Sequence, residues 1–218
     1  MTVPATGSAT GSVTGSATGS APDRVAGLLL AAGGGRRMGG PKALLRDRDG
    51  TWFLRRGVER LLGAGCSTVV VVLGASADEA AALVARGGWP DPLVRVVVAE
   101  DWHAGMGASL RAGLAALGVG GAVAALVTLV DLPDVDEAVL RRVLATGGGP
   151  DVLVRATYDG RPGHPVLLGR SHWDGVAASA LGDQGARTYL TDHEAVGCEC
   201  ADLASGRDVD RPEDLGLP

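Results

Sequence analysis

Apolar residues recur along this chain in two alternating patterns, short unbroken runs and longer stretches at helical spacing. The unbroken run at residues 25–32 reads as a strand buried on both faces, and further strands are expected at 68–74, rich in β-branched residues, at 93–99 and at 123–130. Between them, residues 51–64 carry Phe53, Leu54, Val58, Leu61 and Leu62 at helical spacing, and helices are also expected at 77–85, 109–117 and 135–145. Gly87-Gly88-Trp89-Pro90 breaks the chain before the third strand. Strands alternating with helices predict an α/β fold: one Rossmann-like, three-layer domain around a mainly parallel, twisted sheet. Beyond Gly147 the periodicity loosens. Short strands are expected at 152–157 and 165–168, flanking a loop at 158–164, then a helix at 185–193 and a last strand at 197–203.

Residues 5–20 fall outside this pattern. They are four tetrads, Ala-Thr-Gly-Ser three times and Val-Thr-Gly-Ser once, without charge and without side chains large enough to bury. The chain therefore divides into a disordered low-complexity tail at 1–22 and a domain at 23–218. A length of 218 residues with 46% hydrophobic content suffices for one sizeable core. The formal charge of −5 argues against a nucleic-acid or anionic-membrane partner, whose footprint would be basic. No apolar run reaches the ~18 residues of a membrane helix, and no secretory leader is visible, so a cytoplasmic location is expected. Cys66, Cys198 and Cys200 make no C-x-x-C pair and suit a reducing compartment. Cys198 and Cys200 read as small apolar residues on a buried strand face, with a metal pair as the alternative.

The chemistry concentrates where the first strand runs into Ala31-Ala32-Gly33-Gly34-Gly35-Arg36-Arg37-Met38-Gly39-Gly40-Pro41-Lys42. Glycines without side chains let successive backbone N–H groups turn toward one anion, and Arg36, Arg37 and Lys42 add charge that dipoles alone cannot supply. The dinucleotide fingerprint G-x-G-x-x-G fails in every register here, and so does the P-loop pattern, because Gly40 or Pro41 stands where its lysine belongs. Asp131, at the end of the 123–130 strand, suits Mg²⁺, which takes one or two carboxylates together with substrate phosphates; a turn or helix-cap aspartate is the alternative. Loop and Asp131 would meet at the carboxyl edge of a parallel sheet. Ser109 reads as a helix N-cap beside that edge.

The loop matches G-x-G-x-R-M-G-x-P-K and thereby resembles the MobA-like nucleotidyltransferases, whose fold is a Rossmann-like (GT-A-like) nucleotidyltransferase domain. The resemblance implies a nucleoside triphosphate held by Ala31, Ala32, Gly33, Gly34, Gly35 and Gly39, with Arg37 and Lys42 on its phosphates and Ser109 near the base. Asp208-Val209-Asp210-Arg211-Pro212-Glu213-Asp214-Leu215 resembles the family's D-I-D-T-P-E-D-L segment and implies Asp210 as a second Mg²⁺ ligand beside Asp131, with Arg211 in place of threonine. Gly163-His164-Pro165-Val166-Leu167 and Gly182-Asp183-Gln184-Gly185-Ala186-Arg187 resemble the molybdenum cofactor cytidylyltransferase branch. They imply CTP and a phosphorylated acceptor as partners, with His164, Asp183 and Arg187 at the acceptor; a satisfied turn histidine is the other reading of His164. Arg111 reads as a solvated helix arginine. Two other function classes stay open at this stage, a nicotinamide or flavin oxidoreductase and a non-catalytic nucleotide-binding module.

Overall fold

The structure, a computed structural model, describes residues 24–215; the expected tail at 1–22 lies outside them. A seven-stranded sheet runs in the order β3-β2-β1-β4-β6-β5-β7. Its strands are β1 (Val25–Ala31), β2 (Val69–Leu73), β3 (Val94–Val98), β4 (Ala124–Leu129), β5 (Leu153–Tyr158), β6 (Arg161–Gly169) and β7 (Val196–Glu199). Only β6 opposes the others, being antiparallel to both β4 and β5. The helices are α1 (Phe53–Ala64), α2 (Ala77–Arg86), α3 (Met106–Gly118), α4 (Glu137–Ala145), α5 (Trp173–Ser179) and α6 (Arg187–Asp192).

Alternation along each strand builds two cores. Leu29, Val71, Leu126 and Leu167 pack toward α1 and α4, while Leu28, Val70, Val127 and Val166 pack toward α3 and α5. β2 is buried at all of its positions, which is why it reads as unbroken valine and leucine. Cys198 and Cys200 are both buried in the first core and no disulfide forms, as expected of small apolar residues. The sheet order reverses direction between β1 and β4, and a crevice opens outside the carboxyl ends of strands at such a point.

Several boundaries differ from expectation. The loop expected at 158–164 is a tight hairpin at Asp159-Gly160, and β6 already begins at Arg161, so His164 is a strand residue and not a turn histidine. Pro162 and Gly163 hid this strand from its composition. α3 begins at Met106, after Gly105, which places Ser109 inside the helix and removes it as an N-cap. The last strand stops at Glu199, because Cys200 pairs its amide with Thr157 and then turns to bond Leu203. The helix expected at 185–193 is trimmed to α6, and α5, only seven residues long, had no periodicity to announce it. Among the described residues no helix is long and apolar enough to cross a membrane.

Arg60 on α1 fixes the turn after β4. Its guanidinium donates to the carbonyls of Leu132 (3.2 Å), Val135 (3.0 Å) and Pro133 (2.8 Å), satisfying three acceptors of a segment with no ladder partner. Burial holds its pKa below the usual arginine value. Arg60→Leu should lower unfolding stability by about 2–3 kcal/mol in denaturant titration, the scale of buried hydrogen bonds to a charged donor. An unchanged midpoint would show that the turn holds itself.

Candidate active site

The crevice is built first by the loop after β1. Gly35 has φ +55°, and a Cβ there would stand 1.9 Å from the Gly40 carbonyl oxygen, so the loop closes on itself only with glycine at this position. The Met38 amide donates to Gly35 O (2.8 Å), and the Met38 side chain is buried with Phe53 of α1 and Val209. A side chain in the middle of a cationic loop thus anchors it to the core. Lys42 opens the short 3-10 turn that ends the loop.

Asp131 lies just past β4, and the C-terminal segment is tied to it: the Val209 amide donates to Asp131 O (3.0 Å) while the Val209 side chain is buried. That places Asp210 beside it. The Lys42 Nζ donates to Asp131 Oδ2 and to Asp210 Oδ1, each at 2.7 Å, and Arg37 reaches Asp210 Oδ2 at 3.5 Å. Asp214 accepts from the amides of Asp210 (3.0 Å) and Arg211 (2.8 Å) and so shapes the turn that presents Asp210.

The two carboxylates sit in unlike surroundings. The Asp131 side chain is 14% exposed, and burial pushes its pKa up against the pull of Lys42. Asp210 is 45% exposed, and the Lys42 hydrogen bond holds it below the ordinary carboxylate range. Burial works against the Lys42 charge, but the two carboxylates outweigh it and raise its pKa. One ammonium therefore neutralises an acid that could not stand charged alone and one that could.

Three hollows meet here. A cleft of about 410 Å³ is bordered by Ala31, Ala32, Gly33, Gly34, Lys42, Ser109 and Asp131, with Trp102 and Met106 closing it. A second, about 290 Å³, is bounded by Gly33, Gly35, Arg36, Arg37, Lys42, Asp131 and Asp210. The third, about 80 Å³, gathers Arg155, His164, Asp183 and Arg187, and shares Leu30, Met106 and Asp183 with the first. Gly39 borders none of them and lies on the loop's exposed outer turn. Arg111 is half-buried and donates to Ala180 O, so it is held by backbone and is not a freely solvated arginine.

Sequence reading passed over Arg155, Trp102 and Arg60. A signal existed for the first, a charge interrupting the apolar run of β5; the other two look like ordinary surface and helix residues until the fold turns them inward. Burial, reinforced by Arg155 and Arg187, lowers the His164 pKa from 6.5 to about 4. The unfolded chain therefore binds this proton more readily than the folded one, and stability falls as pH drops from about 6.5 toward about 4. Melting temperatures measured across that window should fall more steeply for the wild type than for His164→Gln; parallel curves would show that His164 titrates normally.

Comparison with known proteins adds the family. Residues 27–196 match the MobA-like NTP transferase domain. The chain is 38% identical over 201 residues to the nicotine blue oxidoreductase of Paenarthrobacter nicotinovorans, covering 88% of this chain and 94% of that protein. It is 34% identical over 149 residues to a probable molybdenum cofactor guanylyltransferase of Mycobacterium tuberculosis, covering 65% of this chain and 66% of that one. The crystal structure of Rv0371C from M. tuberculosis in complex with manganese superposes with a TM-score of 0.60 at 30% identity, over 81% of this chain and 87% of the other. With the glycine loop, the reversal of strand order and the match along most of its domain, the chain belongs to the MobA-like NTP transferase family.

Proposed function

We propose that this chain transfers CMP from CTP to a phosphorylated acceptor, molybdopterin first among them, and releases pyrophosphate. One observation carries the proposal: the Lys42 ammonium held 2.7 Å from both Asp131 and Asp210 at the mouth of the glycine loop, where β1 and β4 diverge. Ala31 to Gly35 and Ser109 border a cleft large enough for a nucleotide, and Arg36, Arg37 and Lys42 supply positive charge on its phosphate side.

Catalysis in this reading is positioning and charge stabilisation, with no protein nucleophile. Loop amides, Arg37 and Lys42 draw negative charge onto the β- and γ-phosphates; an oxygen of the acceptor phosphate attacks the α-phosphorus in line, and the bond to pyrophosphate breaks. The donor set fits Mg²⁺. Two hard carboxylates converge on one hollow, and among the described residues no group of three or more His, Cys, Asp or Glu side chains forms an all-protein cage, which accords with an ion completed by phosphate and water. Asp131 and Asp210 would hold it. When bound, the ion would neutralise charge developing between the α-phosphate and the leaving group. The manganese complex of the M. tuberculosis relative supports a divalent cation in this fold. The three thiols, free and buried, accord with a cytoplasmic setting.

The base and the acceptor are the finer parts of the proposal. Ala32 at the cleft wall supports cytosine by its resemblance to the cytidylyl branch, whereas the guanylyltransferase relatives speak for guanine. Competition between CTP and GTP decides, with equal or faster GTP turnover overturning the cytosine assignment. A sugar phosphate, methylerythritol phosphate or phospholactate is the alternative acceptor. A second reading is favoured by the likeness to nicotine blue oxidoreductase, which extends along nearly all of both chains: a reductase acting on a dye-like substrate. Bleaching of NADPH with a dye acceptor, without pyrophosphate release from any nucleotide, would establish it.

For the transferase reading, Lys42→Ala should leave the fold intact, at some cost in melting temperature, and lower kcat/KM by at least ~100-fold, the scale of one lost charge-stabilising donor. Asp131→Asn and Asp210→Asn should each cut kcat severely, and the double variant should resemble the worse single, since groups acting as one unit are non-additive. Kinetics of these proteins across a Mg²⁺ titration give the test. Multiplicative losses at saturating metal would mean that the carboxylates do not share an ion.

A further inference from the structure

We propose that the smallest of the three hollows is an oxyanion site, formed by Arg155 and Arg187 over an apolar floor, which holds a second, non-reacting acidic group of the acceptor. That the ligand is the acceptor rests on the nucleotidyl-transfer reading; that the hollow binds an oxyanion does not.

Charge around this hollow is unbalanced. Arg155 projects from β5 on the face that packs Leu153, Val127 and Val166, and is half-buried. Its Nε donates to Gly163 O at 3.4 Å, and neither Arg155 nor Arg187 makes an ion pair with a carboxylate among the described residues. The nearest candidate, Asp183, borders the hollow but is exposed and pairs with neither arginine. The half-buried Arg155 is thus brought beside the exposed guanidinium of Arg187, which repels it, at one small hollow. A cation placed so is costly unless an anion completes it, and the planar donor fork of arginine matches an oxyanion with two parallel hydrogen bonds.

His164 completes the donor set. The Tyr158 hydroxyl donates to its carbonyl at 2.6 Å and fixes its strand, while its imidazole stays neutral beside the two arginines. A neutral ring offers one N–H to an oxyanion without adding a third repelling charge. Leu30, Leu110, Val166 and Leu190 form the remaining wall.

Size and connection define the ligand. At about 80 Å³ the hollow admits one acidic head group and excludes a nucleotide. It opens to the nucleotide cleft past Leu30, Met106 and Asp183, yet Arg36, Arg37 and Lys42 border only the other hollows. The group held here is therefore distinct from the phosphate that reacts near Lys42. The acceptor class that fits has two acidic ends joined by a body that crosses Leu30 and Met106, which favours an acceptor bearing a carboxylate or second phosphate, of the phospholactate kind, over a singly phosphorylated pterin.

Two chemistries supply such a head group, a phosphate ester and a carboxylate, so inorganic phosphate and acetate are the probes. In the full-length protein labelled at histidine, with the His164 ring assigned through His164→Gln, each anion is titrated while the imidazole signals are followed by NMR. A saturable shift of His164 is expected from at least one anion, kept in Lys42→Ala and lost in Arg155→Gln/Arg187→Gln. Saturation by phosphate alone identifies a phosphate end; saturation by acetate as well identifies a carboxylate end. Should the double variant fail to fold, the exposed Arg187→Gln alone must weaken the response. Absence of a saturable shift with either anion, or a shift unaltered by the arginine substitutions, overturns the site. Pyrophosphate release separates the two layers. A wild type that responds at His164 but releases none keeps the oxyanion site and loses the transfer reading. With transfer intact, the arginine variants should raise the acceptor KM by about 10-fold or more at similar kcat, the loss of one good charge-assisted pair; an unchanged acceptor KM overturns the acceptor assignment.

Discussion

The arrangement depends on one ammonium shared by two carboxylates that lie far apart in the chain. Lys42 closes the loop after the first strand, Asp131 follows the fourth, and Asp210 arrives after the last. Each acid alone would repel the other, and burial disfavours the charge on Asp131 in particular. The lysine resolves this conflict and in doing so fixes the register of three segments that share no strand ladder. Around it the supports are all backbone-directed: Arg60 on three carbonyls, the Val209 amide on Asp131, and Asp214 on the amides of Asp210 and Arg211.

Reversal of a single strand shapes the rest of the functional edge. A parallel strand gives only its end to that edge. β6 runs the other way, with Val127 of β4 opposite Val166, so it brings its beginning there, residues 161–164, and with it His164. Arg155 on the neighbouring β5 faces Val166 in the ladder and lies on the same side of the sheet. The crevice between β1 and β4 is therefore extended sideways into the smaller hollow by the antiparallel pairing, and the two spaces are lined by different chemistries.

Much of this was legible in the chain. Apolar runs identified β1, β2 and β4, because strands covered on both faces have no polar side to alternate with, while the edge strand β3 kept its valines around Arg95. The glycine loop and Asp131 were legible because their residue types are dictated by local chemistry. The second half was harder for physical reasons. β6 begins with Arg161-Pro162-Gly163, residues that pattern reading assigns to turns, and α5 and α6 are too short for a helical period to show. Ser109 looked like a cap since the helix start at Met106 is set by contact between Gly105, at φ +106°, and the Gly182-Asp183 segment, an event of tertiary structure. Arg60 and Trp102 acquire their positions only once α1 and the crevice exist.

The tether between Val209 and Asp131 has a consequence for the order in which the molecule becomes complete. All seven strands lie before residue 200, so no ladder bond of the sheet requires the segment carrying Asp210. Until Val209 inserts between Met38 and Phe53, Lys42 has one carboxylate and the glycine loop lacks part of its apolar anchor. Docking of the Val209 segment would then complete the site, and a sheet assembled without it would present Lys42 with Asp131 alone.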